Sequence, residues 1–92
     1  MLDKKNYTNG QQVYEQNGDI LTYFYKSGVV KAVGSFVNGL MEGEWRFFLK
    51  TEQLCQIGNF TKSKKNGLWI RYDKNDKVEY HENFYNDNKI KK

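Results

Sequence analysis

The sequence predicts an all-β fold, an elongated, twisted antiparallel meander of about seven strands built from 24-residue β-hairpin repeats. Three observations predict it. The lines "GEWRFF" from Gly43 and "GLWIRY" from Gly67 share the frame Gly-x-Trp-x-x-aromatic at a spacing of 24 residues. The same shift places Gly34 on Gly58, Phe36 on Phe60 and then Phe84, Phe24 on Phe48 and Tyr72, and Val30 on Leu54 and Val78. No gap is needed from about Asp19 to Phe84, which marks an internal repeat. Next, Ala occurs once and no apolar stripe of helical spacing is sustained, while Val, Ile, Tyr, Phe, Trp and Thr dominate the ordered-looking stretches, as strands prefer. Finally, turn signals recur every 8–12 residues, among them Asn17-Gly18, Ser27-Gly28, Asn38-Gly39, Asn66-Gly67 and the run Asp73-Lys74-Asn75-Asp76.

The elements follow from these punctuation marks. Strands are expected at about 12–15, 20–25, 29–37, 44–49, 53–60, 68–72 and 77–85. Short links make consecutive strands pair antiparallel. The absence of Pro leaves the ladder of N–H donors intact. One hairpin cannot bury its apolar face alone, whereas stacked copies shield the same columns of side chains. Gly43 and Gly67 end the inter-hairpin turns, where positive φ or a close backbone approach is required. Trp45 and Trp69 then lay their rings over the neighbouring hairpin, with Leu21 in the equivalent place. Phe36, Phe60 and Phe84 form the partner column. The chain reads as one domain, 1–92, with repeats at about 19–42, 43–66 and 67–92 after an N-terminal strand.

Composition narrows the function classes. A chain of 92 residues buries only a modest core, so its seven Tyr, six Phe and two Trp must supply most of it. Such aromatic content argues against disorder. The net charge of +4 comes from 13 Lys, only two Arg and 11 acidic residues, which reads first as a solubilising surface, because geometric phosphate readers favour Arg forks. A single Cys excludes an internal disulfide framework and fits a reducing compartment. No apolar run approaches a membrane span or signal core, so a bacterial cytoplasmic location is expected. A leader removed from a longer precursor would leave a secreted or envelope-attached protein instead.

Gly43-Glu44-Trp45-Arg46-Phe47-Phe48, preceded by Phe36-Val37-Asn38-Gly39-Leu40-Met41-Glu42, resembles the bacterial variant of the MORN repeat, whose pattern is roughly F-x-N-G-x-x-x-G-x-W-x-x-Y. The second copy, Phe60 to Tyr72, keeps Phe, Gly, Trp and Tyr but has Lys62-Ser63 where the pattern has Asn-Gly; the third keeps Phe84. The resemblance covers about Gly18 to Phe84. It implies a twisted sheet of hairpins and an antitoxin-like or scaffold role, with contacts to membrane lipids proposed in the wider family. It carries no catalytic residue.

Candidate sites are few. His81 shares a column with Val33 and Ile57, which predicts a partly packed ring rather than a metal ligand; a metal site needs several converging donors. Cys55 shares its column with Lys31 and Glu79 and is expected to face solvent. Glu42, Glu44, Glu79 and Glu82 are acid–base candidates by residue type only, without a nucleophile motif or phosphate loop, so no enzyme activity, cofactor or small-molecule substrate is expected. Adjacent Phe47 and Phe48 point to opposite faces and predict a sheet aromatic on both sides, one side needing a cover. The primary expectation is a protein-binding module whose partner, a toxin or a second copy of the chain, meets Tyr23, Tyr25, Phe47 and Tyr80, or pairs with an open terminal strand at 77–85. The alternative is an anion binder, of nucleic acid or an anionic membrane, working through Lys62, Lys64 and Lys65 and the Lys-rich tail.

Overall fold

Two kinds of turn set the topology. At one end of the strands lie two-residue turns, in which Asn38 and Gly39, Lys62 and Ser63, and Asn86 and Asp87 all take positive φ. That is the type I′ geometry, whose twist matches that of the flanking strands. At the other end lie five-residue loops. Tyr25 N–H donates to Val29 O, Leu49 N–H to Gln53 O and Asp73 N–H to Lys77 O, with Gly28, Glu52 and Asp76 at positive φ. Both kinds recur at 24-residue spacing. Gly18 alone carries positive φ in the first turn, so Asn17 ends its strand and Gly18 opens a type II′ turn.

The computed structural model of the chain describes residues 5–90. Residues 1–4 and the tail lysines Lys91 and Lys92 lie outside them. The strands are β1 (Tyr14–Asn17), β2 (Ile20–Phe24), β3 (Val30–Val37), β4 (Leu40–Phe48), β5 (Leu54–Thr61), β6 (Lys64–Lys65), β7 (Gly67–Tyr72), β8 (Val78–Tyr85) and β9 (Asn88–Lys89). They form one antiparallel sheet in the order β1-β2-β3-β4-β5-β7-β8-β9, with β6 paired to β5. The fold is therefore an all-β meander, measuring 47 × 35 × 19 Å.

Four details differ from the sequence reading. Described strands number nine rather than seven, because Lys64–Lys65 and Asn88–Lys89 form short strands of their own. The first strand starts at Tyr14, since Gln12 belongs to an N-terminal turn bridged to Asn6. β4 starts at Leu40, directly after Asn38-Gly39, rather than at residue 44. The segment expected to end as an open strand is partly capped: β9 pairs with Phe84 and Tyr85, and Ile90 N–H donates to Asn83 O.

Gly43 explains the displaced start of β4. The register jumps from Gly34↔Trp45 to Ser35↔Glu42, so Gly43 and Glu44 form a bulge, with Gly43 at φ 69°. Gly67, at φ 98°, plays the same part between β6 and β7. A glycine-led bulge bends the strand and sharpens its twist. Each one aims the Trp two residues later back across its neighbour.

The core is small and ring-built. Leu21, Ala32, Phe36 and Trp45 are buried together, with Tyr14, Tyr23, Met41, Phe47 and Phe60 packed against them. Trp45 has no exposed surface although no second layer covers it. The reason is a notch. Gly34 sits opposite Trp45 on β3, and a Cβ there would overlap the indole, so the ring lies flat on bare backbone. Its Nε1 donates to Ser35 O at 2.9 Å. Gly58 and Trp69 repeat the arrangement, with Trp69 Nε1 donating to Asn59 O at 2.9 Å. Phe60 stands edge-on to both indoles, with centroids 6.3 Å from Trp45 and 5.1 Å from Trp69.

The turn at Lys62 and Ser63 is the costly one. Each L-residue in the left-handed region loses roughly 1–2 kcal/mol. Three bonds hold it down: Lys62 N–H to Glu42 Oε2 at 2.8 Å, Ser63 N–H to Met41 O, and Met41 N–H to Ser63 Oγ. The Lys62 side chain is exposed, and Asn tolerates this backbone far better than Lys. Lys62→Asn is therefore expected to stabilise the fold by about 0.5–1 kcal/mol, read as a raised urea midpoint at constant slope. A lower midpoint would show that the lysine has a structural part its exposure does not suggest.

Candidate functional site

One face of the sheet carries the rings. Register places Tyr23, Ala32, Phe47, Gln56, Arg71 and Tyr80 in a single row across β2 to β8. Three of the four residues expected to form a partner surface thus share a row, and two of them also pack against the core. Tyr23 lies 6.4 Å from the rings of both Tyr14 and Trp45, and Phe47 stacks 6.0 Å from Trp69. Both are partly buried against the core and keep part of their surface exposed. Burial holds the Tyr23 hydroxyl above the ordinary tyrosine range, and neighbouring Tyr14 pushes it the same way. The physical reason is strand parity: Tyr23 and Phe47 stand two residues beyond Leu21 and Trp45, hence on the same face. Tyr80 is exposed, at the end of the row beyond Arg71.

The opposite face is mainly aliphatic at its centre. Its central row runs Thr22, Val33, Arg46, Ile57, Ile70 and His81. Toward the five-residue loops, Val29, Val30, Val33 and Phe48 line a shallow cleft of about 350 Å³ with Thr22 and Glu52. Toward β8, Leu68, Ile70, Val78, His81 and Asn83 line another of about 440 Å³. Val33, Ile57 and Ile70 are half-exposed, and Leu68 and Val78 are open. Rings stand on both faces, as expected: Phe48 lines the first cleft opposite Phe47, and Phe24 and Tyr72, two residues beyond Thr22 and Ile70, share its face by strand parity. His81, expected to be partly packed, is exposed, because it sits on outlying β8, whose outer side only short β9 borders. Cys55 is a free thiol with intermediate exposure.

The lysines divide differently from the sequence reading. Lys65, expected to contact anions, has its ammonium 4.6 Å from the Trp69 ring and 4.9 Å from the Phe84 ring, so it caps the end of the ring pile. Lys62 and Lys64 are exposed and line a cleft with Thr61, Asn66, Tyr85 and Asn86. Lys89 is taken by Glu82 at 2.6 Å, whose hydrogen bond raises the ammonium's pKa. The other candidate carboxylates are also engaged: Glu42 with the Lys62 N–H, Glu44 with Arg46 at 3.7 Å and Glu79 with Arg71 at 3.3 Å.

Tyr25 is neither core ring nor open surface. Its hydroxyl donates to Phe48 O at 2.7 Å, tying one five-residue loop to the end of β4. Around it stand Lys26, Lys31 and Lys50, which the sequence reading did not select. Lys26 and Lys50 are 24 residues apart, a signal that was present in the repeat frame.

Comparison with family models, with curated proteins and with solved structures finds no match. Among the described residues no helix is long and apolar enough to cross a membrane.

Proposed function

We propose that the protein is a non-enzymatic β-repeat interaction module and that a protein partner docks on its aliphatic face. The observation that carries this reading is the row Val33, Ile57 and Ile70, half-exposed at the middle of a sheet whose other face holds the whole ring core. A sheet face of that kind is ordinarily buried against a second layer. The occupant we commit to is a second copy of this chain. The sheet spans 47 by 35 Å, about twice the roughly 800 Å² that each partner of a standard stable interface buries. Two copies face to face would complete a two-layer sandwich with interdigitated side chains.

Light scattering and sedimentation over about 1–200 μM test it. The wild-type chain is expected to dimerise and Ile57→Asp to remain monomeric, with an unchanged near-UV Trp signature because the ring face is untouched. A wild type that stays monomeric throughout overturns the self-copy. If that monomer also fails to bind an apolar dye that Ile57→Asp would reduce, the docking face falls with it. A monomer that keeps dye binding and is masked by a co-expressed toxin would transfer the face to the antitoxin-like role that the MORN resemblance implies.

A further inference from the structure

We propose a second binding site, independent of the aliphatic face: the cleft around Tyr25 holds single-stranded nucleic acid through two or three of its phosphates. Three lysines from three places in the chain meet there. Lys26 comes from the loop after β2, Lys31 from the start of β3, and Lys50 from the loop after β4. The two loops close with the same bond, Tyr25 N–H to Val29 O and Leu49 N–H to Gln53 O, which places Lys26 and Lys50 at equivalent points of neighbouring turns. Tyr25 stands between them, anchored through its hydroxyl to Phe48 O. The Lys31 ammonium lies 5.8 Å and the Lys50 ammonium 5.9 Å from the same Tyr25 ring centroid.

Charge is what sets this cleft apart. Among the described residues no carboxylate lines it and none of the three lysines makes an ion pair, while Arg46, Arg71 and Lys89 each have one. Like charges drawn around one ring repel each other, and an anion between them relieves that repulsion. The periodicity also breaks here. One period on, Tyr25 and Lys31 are replaced by Leu49 and Cys55, and two periods on by Asp73 and Glu79, so of the three equivalent loops the first alone combines this Tyr with this Lys.

Phosphate with an attached base fits this arrangement better than phosphate alone. The cleft measures about 480 Å³. When the ammonium groups swing from the ring to phosphate oxygens, the face of Tyr25 is released for a base to stack on, the combination by which single strands are held without sequence preference. Lysines, as point charges rather than forks, favour that tolerance.

Fluorescence anisotropy of a labelled 20-residue oligo-dT, titrated with the full chain at rising salt, tests the proposal. Binding with a log–log salt slope between about −1.4 and −2.1 is expected, the value for two or three phosphate contacts on a single strand. Lys31→Glu with Lys50→Glu should weaken it at least tenfold. Lys62→Glu with Lys64→Glu makes the same charge change at the opposite ends of the strands and should cost less than twofold. Tyr25→Leu, the residue found one period on, should weaken binding several-fold while leaving the slope unchanged. Equal losses from the two lysine pairs would reduce the effect to overall charge and overturn the site. No binding at about 100 μM chain overturns it outright. Binding of anionic vesicles without oligo-dT would assign the lysines to a membrane surface instead. Each variant's dimerisation is measured beside it, so failure here is separable from failure of the aliphatic interface.

Discussion

Trp45→Ala is expected to cost about 3–5 kcal/mol, the usual loss for a fully buried Trp. The indole has no exposed surface, is hydrogen-bonded through Nε1 to Ser35 O, and touches rings on three sides: Tyr23 at 6.4 Å, Phe47 at 6.4 Å and Phe60 at 6.3 Å. Removing it opens the middle of the pile and exposes the Gly34 backbone beneath. No second sheet can settle into the space, so the cavity fills with water and the neighbouring rings lose their contact. Single domains are stable by only about 5–15 kcal/mol, and one this small lies toward the bottom of that range. The variant is expected to melt at least about 12 °C below the parent. Circular dichroism followed through a thermal ramp checks this; a melting point shared with the parent would mean that the ring pile is not what holds the sheet together.

How much of this was legible in the sequence depends on whether one residue or a geometry carried the signal. Asn38-Gly39 announced its turn because both residues accept positive φ. Glu52 adopts positive φ without any such local mark, because the loop around it is imposed by the pairing of the long strands on either side. The bulges at Gly43 and Gly67 were half visible: each glycine was noticed, but a glycine does not say whether it closes a turn or kinks a strand. The faces are a different matter. Phe47 is two residues from Trp45, and Tyr23 two from Leu21, so parity places both on the core side, a rule the sequence reading did not apply when it offered them as partner surface. Once they are assigned there, Val33, Ile57 and Ile70 are left on the other face by the same rule. The Tyr25 cleft was less accessible, since Lys31 meets Lys50 only after the register and the loop geometry are known.

Gly58→Ala tests the notch itself, and the expected loss is about 3 kcal/mol, at the top of the range for overpacking. A Cβ at Gly58 would meet the Trp69 ring at its fused carbons, far inside contact distance. The ring has no direction in which to retreat. Phe60 stands edge-on at 5.1 Å, Phe47 stacks at 6.0 Å and Phe84 closes the far side at 6.1 Å, while Lys65 lies over the indole. Gly58 is not among the glycines with positive φ, so its backbone accepts Ala without strain, and the whole penalty comes from the ring. Elsewhere in a strand the same substitution would gain about 0.5–1 kcal/mol. A double-mutant cycle isolates the contact. In a Trp69→Ala background the space above residue 58 is vacant, so Gly58→Ala should there be neutral or mildly stabilising, giving a coupling energy near 3 kcal/mol, the upper end for residues in contact. Urea unfolding of the four chains measures it. Additive losses would show that the indole does not rest on Gly58, and with that the account of how a one-layer sheet hides its tryptophans from water would fail.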